Sequence, residues 1–344
     1  MAPDTLEAVR QERLVDVFDA LPRINDFSHP ARAMSFTRPK RSGGVRRLTS
    51  FYWEDDARMR ILKSTLIPFA DLHDSQFMLA QDRLRRGPAS VRENLLQALR
   101  ETEGGHVFLQ FDIRDFFGSI SHAWLEGYLD LDRECVKRFV HTGEMLIVPT
   151  GEMRADRRND DASKANGRSG VGIPQGSALS SLVAEMAMAE VLRSDAVFGR
   201  VRLFAWSDNL GVLAPRDEAL AVEELVRGAF ARHEAGPFHL EVKHSPITSE
   251  FKFLGVWYRK VGSDAVAFVP DAVATGWAND VCADVLIADA GALSKMERRI
   301  RSKLAAWSWW DGAGPLGTEL RAVVKAAREA LTPASGATSC NAAN

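Results

Sequence analysis

Apolar residues recur along the chain at two periods, and the switches between them mark out the elements. Leu6, Val9, Leu14, Val17, Phe18 and Leu21 fall on roughly one face, which predicts an amphipathic helix over residues 5–21. Residues 35–51 read as a β-hairpin turning at Ser42-Gly43-Gly44, with Arg38, Lys40, Arg41, Arg46 and Arg47 around the turn and no acid between them. Helical spacing returns over 54–72, through Met59, Leu62, Leu66 and Phe69, and again over 88–101. Val107 to Phe111 is a short apolar strand that ends at Asp112, and residues 122–130 suggest a helix. Residues 150–170 are rich in Gly, Asn, Asp, Arg and Ser and read as a loop or loose hairpin. A helix is expected from Ala178 to Arg193. Two strands come next, Val201–Trp206 and Leu210–Ala214, around a tight turn at Ser207-Asp208-Asn209. Asp217 is positioned to cap a helix running to Glu234 and stopping at Gly236-Pro237. Leu240–Lys243 and Phe251–Tyr258 read as strands, and the remainder is mostly helical before a small, polar tail after Pro333.

Strand, helix, strand hairpin, helix, strand is the order of a ferredoxin-like α+β sheet with helices on one face. Composition changes this picture little. Hydrophobic residues make up 46% and charged residues 26%, as in a globular chain with a real core. A formal net charge of −2 gives no global attraction to nucleic acid, so any such binding must use local basic surfaces. Cys135, Cys282 and Cys340 are far apart in sequence, which argues against a zinc site or a disulfide framework and for a reducing compartment. No apolar run reaches membrane-spanning length, and the N-terminus lacks the pattern of a signal peptide. A cytoplasmic protein without membrane contact is expected.

Three features carry chemistry. In Phe111-Asp112-Ile113-Arg114-Asp115-Phe116-Phe117 a carboxylate ends an apolar strand. Alone it reads as a residue capping the next turn. Trp206-Ser207-Asp208-Asn209 puts a second carboxylate at the tip of an apolar hairpin, where Asp and Asn are ordinary turn formers. Together, carboxylates on adjacent strand ends can hold hard divalent cations through oxygen. Two such ions roughly 3.5–4 Å apart can clamp the attacking and leaving oxygens of a phosphoryl transfer. The third feature, Gly172-Ile173-Pro174-Gln175-Gly176-Ser177-Ala178-Leu179-Ser180-Ser181, is a tight turn with a polar Gln and a Ser, 177 or 180, placed to cap the following helix.

The order and spacing of these runs resemble the reverse transcriptases, especially the bacterial ones: group II intron, retron and phage-defence enzymes. FDIRDFFGSI is similar to the family's first metal motif, IPQGSALSS to the motif that supports template and incoming nucleotide, and LFAWSDNLGVL to the Y-x-D-D hairpin. LEVKHSPIT resembles the lysine strand, and FKFLGVWY the Phe-Leu-Gly primer-grip turn. Upstream, RSGGVRRLTSF and FMLAQDRLRRGPASVRENLLQAL resemble the fingers, so the resemblance spans about residues 35–260. It implies a right-hand polymerase of α+β class. An N-terminal helix and fingers would occupy 1–105, and a ferredoxin-like palm 106–260 with a finger insertion at about 130–170. A helical thumb would occupy 261–333, ahead of a disordered tail at 334–344.

The resemblance also implies roles. Asp112 and Asp208, with the carbonyl of Ile113, would bind two Mg²⁺ ions, Mn²⁺ being the alternative, and Asn209 would complete the catalytic hairpin. Phe117 would lie under the sugar and exclude a 2′-hydroxyl. Gln175 would touch nucleotide and template, Lys243 would sit near the triphosphate, and Arg46, Arg47 and Arg86 would bind phosphates. Gly176 would border the nucleic acid, and Phe253, Leu254 and Gly255 would place the primer end. Arg298 and Arg299, in a basic helix followed by Trp307, Trp309 and Trp310, would grip a duplex or stack on bases. The bland alternative there is a helix packing its tryptophans inward. The expected partners are an RNA template, a nucleic-acid primer and deoxynucleoside triphosphates, with a dedicated noncoding RNA in a retron-like or antiviral role. Two departures matter: Asn209 replaces the hairpin's second Asp, and Trp206 its usual Tyr. Asn contributes an oxygen without charge. The competing expectation is therefore a catalytically weakened, reverse-transcriptase-like module that binds RNA.

Overall fold

The computed structural model describes residues 21–39, 45–78, 87–150 and 170–331. The expected helix over 5–21, the hairpin tip at 42–44, Lys40, Arg41 and Arg86, the loop over 150–170 and the tail after Pro333 lie wholly or almost wholly outside them. The chain divides into two compact units, one up to Ser249 and one from Glu250.

The described residues of the first unit form two sheets. Strands β1 (Arg32–Pro39) and β2 (Val45–Phe51) form the antiparallel hairpin read from the sequence, beginning three residues earlier than expected. A strand the sequence reading missed, β4 (Leu146–Pro149), pairs with β1 in parallel. The second sheet has the order β5-β6-β3-β7, all antiparallel, from β3 (His106–Ile113), β5 (Arg202–Trp206), β6 (Asn209–Pro215) and β7 (Leu240–Pro246). Helix α6 (Ser180–Ser194) precedes β5, and α7 (Ala219–Arg232) joins β6 to β7. Numbering only the four strands in chain order gives 2-3-1-4, the ferredoxin-like arrangement.

Local chemistry explains the helices. Alternate residues Val107, Leu109, Phe111 and Ile113 of β3 enter one core with both helices. Helix α6 is buried on nearly all sides, from Leu182 through Leu192, which accounts for its almost continuous apolar sequence. Helix α1 (Trp53–Leu66) adds Met59, Leu62 and Leu66 to the same core. Helix α2 (Pro88–Glu101) has Pro within its first turn, where the missing N–H costs nothing. Short helices α3 (Phe116–Ser119), α4 (His122–Tyr128) and α5 (Arg133–Phe139) come after β3. In α5, unforeseen in the sequence, the Asp132 carboxylate accepts the N–H groups of Glu134 at 2.9 Å and Cys135 at 3.1 Å. Two expected caps differ. Helix α7 starts at Glu218 with no side-chain cap rather than at Asp217. Leu179, not a serine, stands at the N-cap of α6, although Ser177 Oγ accepts the Leu179 N–H at 3.1 Å.

The second unit contains β8 (Phe251–Phe253), β9 (Val256–Val261) and β10 (Asp264–Phe268) in an antiparallel sheet, order β10-β9-β8. Helices α8 (Asp271–Leu286), α9 (Ala290–Ala306) and α10 (Ala313–Leu331) complete it. The run 251–260, expected with the palm, is thus part of the second unit, where its strands form a sheet of their own. The single strand expected over 251–258 is two strands around Leu254-Gly255. No described helix is long and apolar enough to cross a membrane.

Candidate active site

Asp112 and Asp208 come together because β3 and β6 are direct neighbours. Asp112 pairs in register with Asn209, and the N–H of Ile113 donates to the carbonyl of Asp208 at 2.9 Å. The hairpin tip is tight. Trp206 and Asn209 are register partners, leaving Ser207 and Asp208 to turn the chain, with Ser207 at φ 52°. Asp112 is exposed and Asp208 half-buried, so both carboxylates stand at the rim of the sheet. Asn209 Nδ2 donates to Asp208 Oδ1 at 2.9 Å, which orients that carboxylate and turns the amide nitrogen, not the oxygen, toward it.

Directly paired residues share a face, as do residues two apart on one strand. Asp112 therefore shares its face with Asn209 on β6 and Glu241 on β7. One row back on that face come Gln110, Gly211 and Lys243. Lys243 is exposed there, one row from the carboxylate edge. Glu241 lies 3.8 Å from Arg114 Nε.

The Gly172–Ser177 turn joins this sheet to the other. The N–H of Thr49, on the open edge of β2, donates to the Gln175 carbonyl at 2.7 Å. Next to it, Gly176 has φ +127°, and a Cβ there would stand 2.1 Å from the Thr49 carbonyl oxygen; only glycine fits. Phe117 accepts the N–H of Ile173 at 2.8 Å through its carbonyl, and its half-buried ring packs on the core. Phe117, Gln175 and Gly176 are thus brought together with β2. Arg46 and Arg47, grouped in the sequence reading, are separated by the strand's alternation. Arg47 shares the face of Thr49, whereas Arg46 points the other way, paired with Arg38. Arg86 lies outside the described residues.

Beneath the same turn lie residues for which the sequence carries no signal. The rings of His122 and His141 stack with centroids 3.9 Å apart. His122 Nε2 bonds the Gly172 carbonyl at 2.9 Å, and His141 Nε2 bonds Glu126 at 3.1 Å. His141 Nδ1 accepts the N–H of Gly143 at 3.1 Å. Burial, reinforced by the neighbouring His122, pushes the His141 pKa down to about 4 against the pull of Glu126; burial also lowers that of His122. Burial thus favours the neutral form of both rings.

In the second unit, Phe253 is fully buried. Leu254 and Gly255, at φ 48° and 83°, form the two-residue turn between β8 and β9. Arg299 is paired with Asp284 at 2.7 Å, while Arg298 is exposed. The tryptophans are not free stacking surfaces. Trp307 is buried, edge-on to Trp277 at 5.3 Å and to Trp310 at 5.8 Å, with Lys303 Nζ 4.4 Å from its ring centre. Trp309 and Trp310 pack on the same cluster.

The donor set at the sheet edge suits a particular kind of cation. Among the described residues no three His, Cys, Asp or Glu side chains converge on one point. Two carboxylates and a backbone carbonyl do not make an all-protein cage. They match the way Mg²⁺ is held, by one or two carboxylates with water and substrate phosphates completing the shell.

No family model matches the chain, and no curated protein matches it in sequence. Among solved structures it is similar to telomerase from Candida albicans in complex with a fragment of telomeric RNA, at 11% identity and TM-score 0.47, covering 87% of this chain and 55% of that one. It is also similar to the RNA-dependent RNA polymerase of a human picorbirnavirus, at 12% identity and TM-score 0.49, covering 88% of this chain and 59% of that one. The chain spans a little over half the length of these structures. A likeness at such scores carries no argument about activity; the residues of the sheet edge carry it.

Proposed function

We propose that the chain is a template-directed nucleic-acid polymerase, specifically an RNA-directed DNA polymerase that extends a primer with deoxynucleoside triphosphates. The observation that carries this reading is the juxtaposition of Asp112 and Asp208 at one rim of a ferredoxin-like sheet, with Lys243 one row back on the same face. Asp112, Asp208 and the Ile113 carbonyl would hold two Mg²⁺ ions, which supply Lewis-acid activation of the attacking hydroxyl and charge neutralisation at the triphosphate. The chain's own residues do the rest. Lys243 offers a point charge to the phosphates and a proton to the departing pyrophosphate. Gln175, held to β2 through its backbone, presents its amide to the nascent base pair. Phe117, in α3 and bonded through its carbonyl to the Ile173 turn, would leave no room for a 2′-hydroxyl. Synthesis on a dedicated noncoding RNA, in a retron-like or antiviral setting, rests on the motif resemblance alone.

The test is incorporation of labelled deoxynucleotides by the protein purified with its co-expressed nucleic acid, with Mg²⁺ and with Mn²⁺, beside Asp208→Ala. Template-dependent incorporation that vanishes in the variant is expected; incorporation that survives Asp208→Ala sinks the assignment. Phe117→Ala should raise ribonucleotide use, and unchanged sugar selection would remove Phe117 as the gate. One observation favours a second reading. The Asn209 amide occupies Asp208 Oδ1 where a second carboxylate would have added charge, which suits a weakened module that holds RNA without extending it. Retention of one RNA by both proteins with no incorporation would establish that reading.

A further inference from the structure

Behind the hairpin that carries Asp208 lies a buried polar chain to which the proposed reaction assigns no part. Glu185 of α6 is 1% exposed and Gln76 is 0% exposed. Glu185 Oε1 accepts the backbone N–H of Ser207 at 2.9 Å, and its Oε2 accepts from Gln76 Nε2 at 2.8 Å. The same amide nitrogen reaches the Glu185 carbonyl at 2.8 Å, and Gln76 Oε1 accepts the N–H of His73 at 2.8 Å. Gln76 is itself fixed to β5: Ala205 N–H donates to the Ser75 carbonyl at 2.8 Å, and Phe77 N–H to the Ala205 carbonyl at 3.1 Å.

This arrangement is costly to maintain. The neighbours of Glu185 on α6, from Val183 to Met188, are buried and apolar apart from it, and a carboxylate in such surroundings persists only when donors satisfy it. Its partner Ser207 is a non-glycine residue in the left-handed region, a conformation that L side chains disfavour. Ser207 immediately precedes Asp208, so the direction of its N–H and the direction in which Asp208 leaves the turn are set by the same backbone torsions.

We infer that Glu185 is a positioning residue for Asp208: by clamping Ser207 N–H, with Gln76 orienting its carboxylate, it sets the affinity of the sheet edge for a divalent cation. The inference rests on the polymerase reading and its metal site. In Glu185→Gln the new amide meets Gln76 or Ser207 donor to donor, so one bond must break.

Mn²⁺ binding to the full chain, read by electron paramagnetic resonance of the free ion, tests this without any turnover, with circular dichroism reporting the fold. Wild type should bind and Asp208→Ala should not. Glu185→Gln should bind about tenfold or more weaker. A folded Glu185→Gln that binds like wild type overturns the inference and leaves the polymerase reading standing. A wild type that takes up no Mn²⁺ overturns this inference and leaves the polymerase reading, whose cations are completed by substrate phosphates, to the incorporation test. Should Glu185→Gln not fold, hydrogen exchange in wild type decides. The Ser207 amide should be protected by at least about a hundredfold relative to an open turn, and exchange at the open-turn rate overturns the clamp.

Discussion

At the rim of the four-stranded sheet, Asp112 and Asp208 stand where strands end, while in the helical unit Arg298, Arg299 and Trp307 lie along or just beyond one helix. Both sets looked like nucleic-acid chemistry in the sequence. The first set is brought together by topology: two strands adjacent in the sheet, far apart in the chain, present carboxylates side by side through one register. The second set is dispersed by local packing. Arg299 is paired with Asp284, Trp307 is buried in the unit's own core, and Trp309 and Trp310 pack half-buried against it. A residue type indicates a role only when the fold leaves its functional end facing outward.

The sharpest break between the two regions is catalytic. Asp112→Ala or Asp208→Ala should lower nucleotide incorporation by at least about a hundredfold, whereas Arg299→Ala should stay within about twofold. Comparable losses in all three would erase the distinction. The next largest effect is on folding. Trp307→Ala removes a buried aromatic from the centre of the helical cluster and should destabilise that unit by about 3–5 kcal/mol, read by urea unfolding. An unchanged unfolding curve with lost single-strand binding would instead make Trp307 a stacking surface.

A smaller effect should appear where the two sheets of the first unit meet. Gly176→Ala puts a methyl group against the Thr49 carbonyl and forces a left-handed alanine. It should cost about 1–3 kcal/mol in thermal unfolding and disturb Gln175. A variant as stable as wild type would show that the turn can lift off β2 freely.

Much of the fold was legible because periodicity and order carry it. The β3, α6, β5–β6, α7, β7 sequence of elements appears in the hydrophobic pattern, and the ferredoxin-like order comes from it. Asp112 and Asp208 were legible for the same reason, since a strand end is a local property. What failed to show depends on partners distant in sequence. Strand β4 is only four residues long and is defined by its parallel pairing to β1. Glu185 reads as a charge in an apolar helix, and nothing in the sequence says that its donors are Gln76 and Ser207. The stacking of His122 on His141 joins two ordinary polar residues through the fold alone. Arg46 and Arg47 could have been separated from sequence: adjacent strand residues face opposite ways, and charge clustering obscured that rule.

The histidine pair separates the two regions by pH. His141 has a folded pKa of about 4, below the ordinary 6.5, so the unfolded chain binds the extra proton. A lowered folded pKa gives stability that is present above about pH 6.5 and is lost as pH falls toward 4. His122, stacked on it, shifts in the same direction, as do the half-buried His73 and His233. Glu126, which burial would raise but Arg133 and His141 hold below the ordinary 4.5, adds its own loss only below about pH 4.5, outside the range from about pH 6.5 to pH 5. The first unit should therefore lose roughly 3 °C or more of Tm between about pH 6.5 and pH 5. His141→Gln should flatten that slope, and an equal slope in the variant would assign the loss to the other histidines.

The smallest effect is the most discriminating for the helical unit. If α9 meets a phosphate backbone at all, Arg298 is the residue to do it, since Arg299, although also exposed, is paired with Asp284. Each phosphate contact released by a substitution should reduce the slope of log affinity against log salt by about 0.7–0.9. Arg298→Ala should therefore lower that slope by a little under one for duplex or single-stranded nucleic acid. Arg299→Ala should leave it nearly unchanged while slightly lowering the stability of the α8–α9 contact, since an exposed pair of this kind contributes about 0.2–1 kcal/mol. Equal slopes for wild type and both variants would mean that α9 makes no phosphate contact. The basic helix would then be a solvated face of a folding unit, and the nucleic-acid chemistry of the chain would be confined to the two sheets of its first unit.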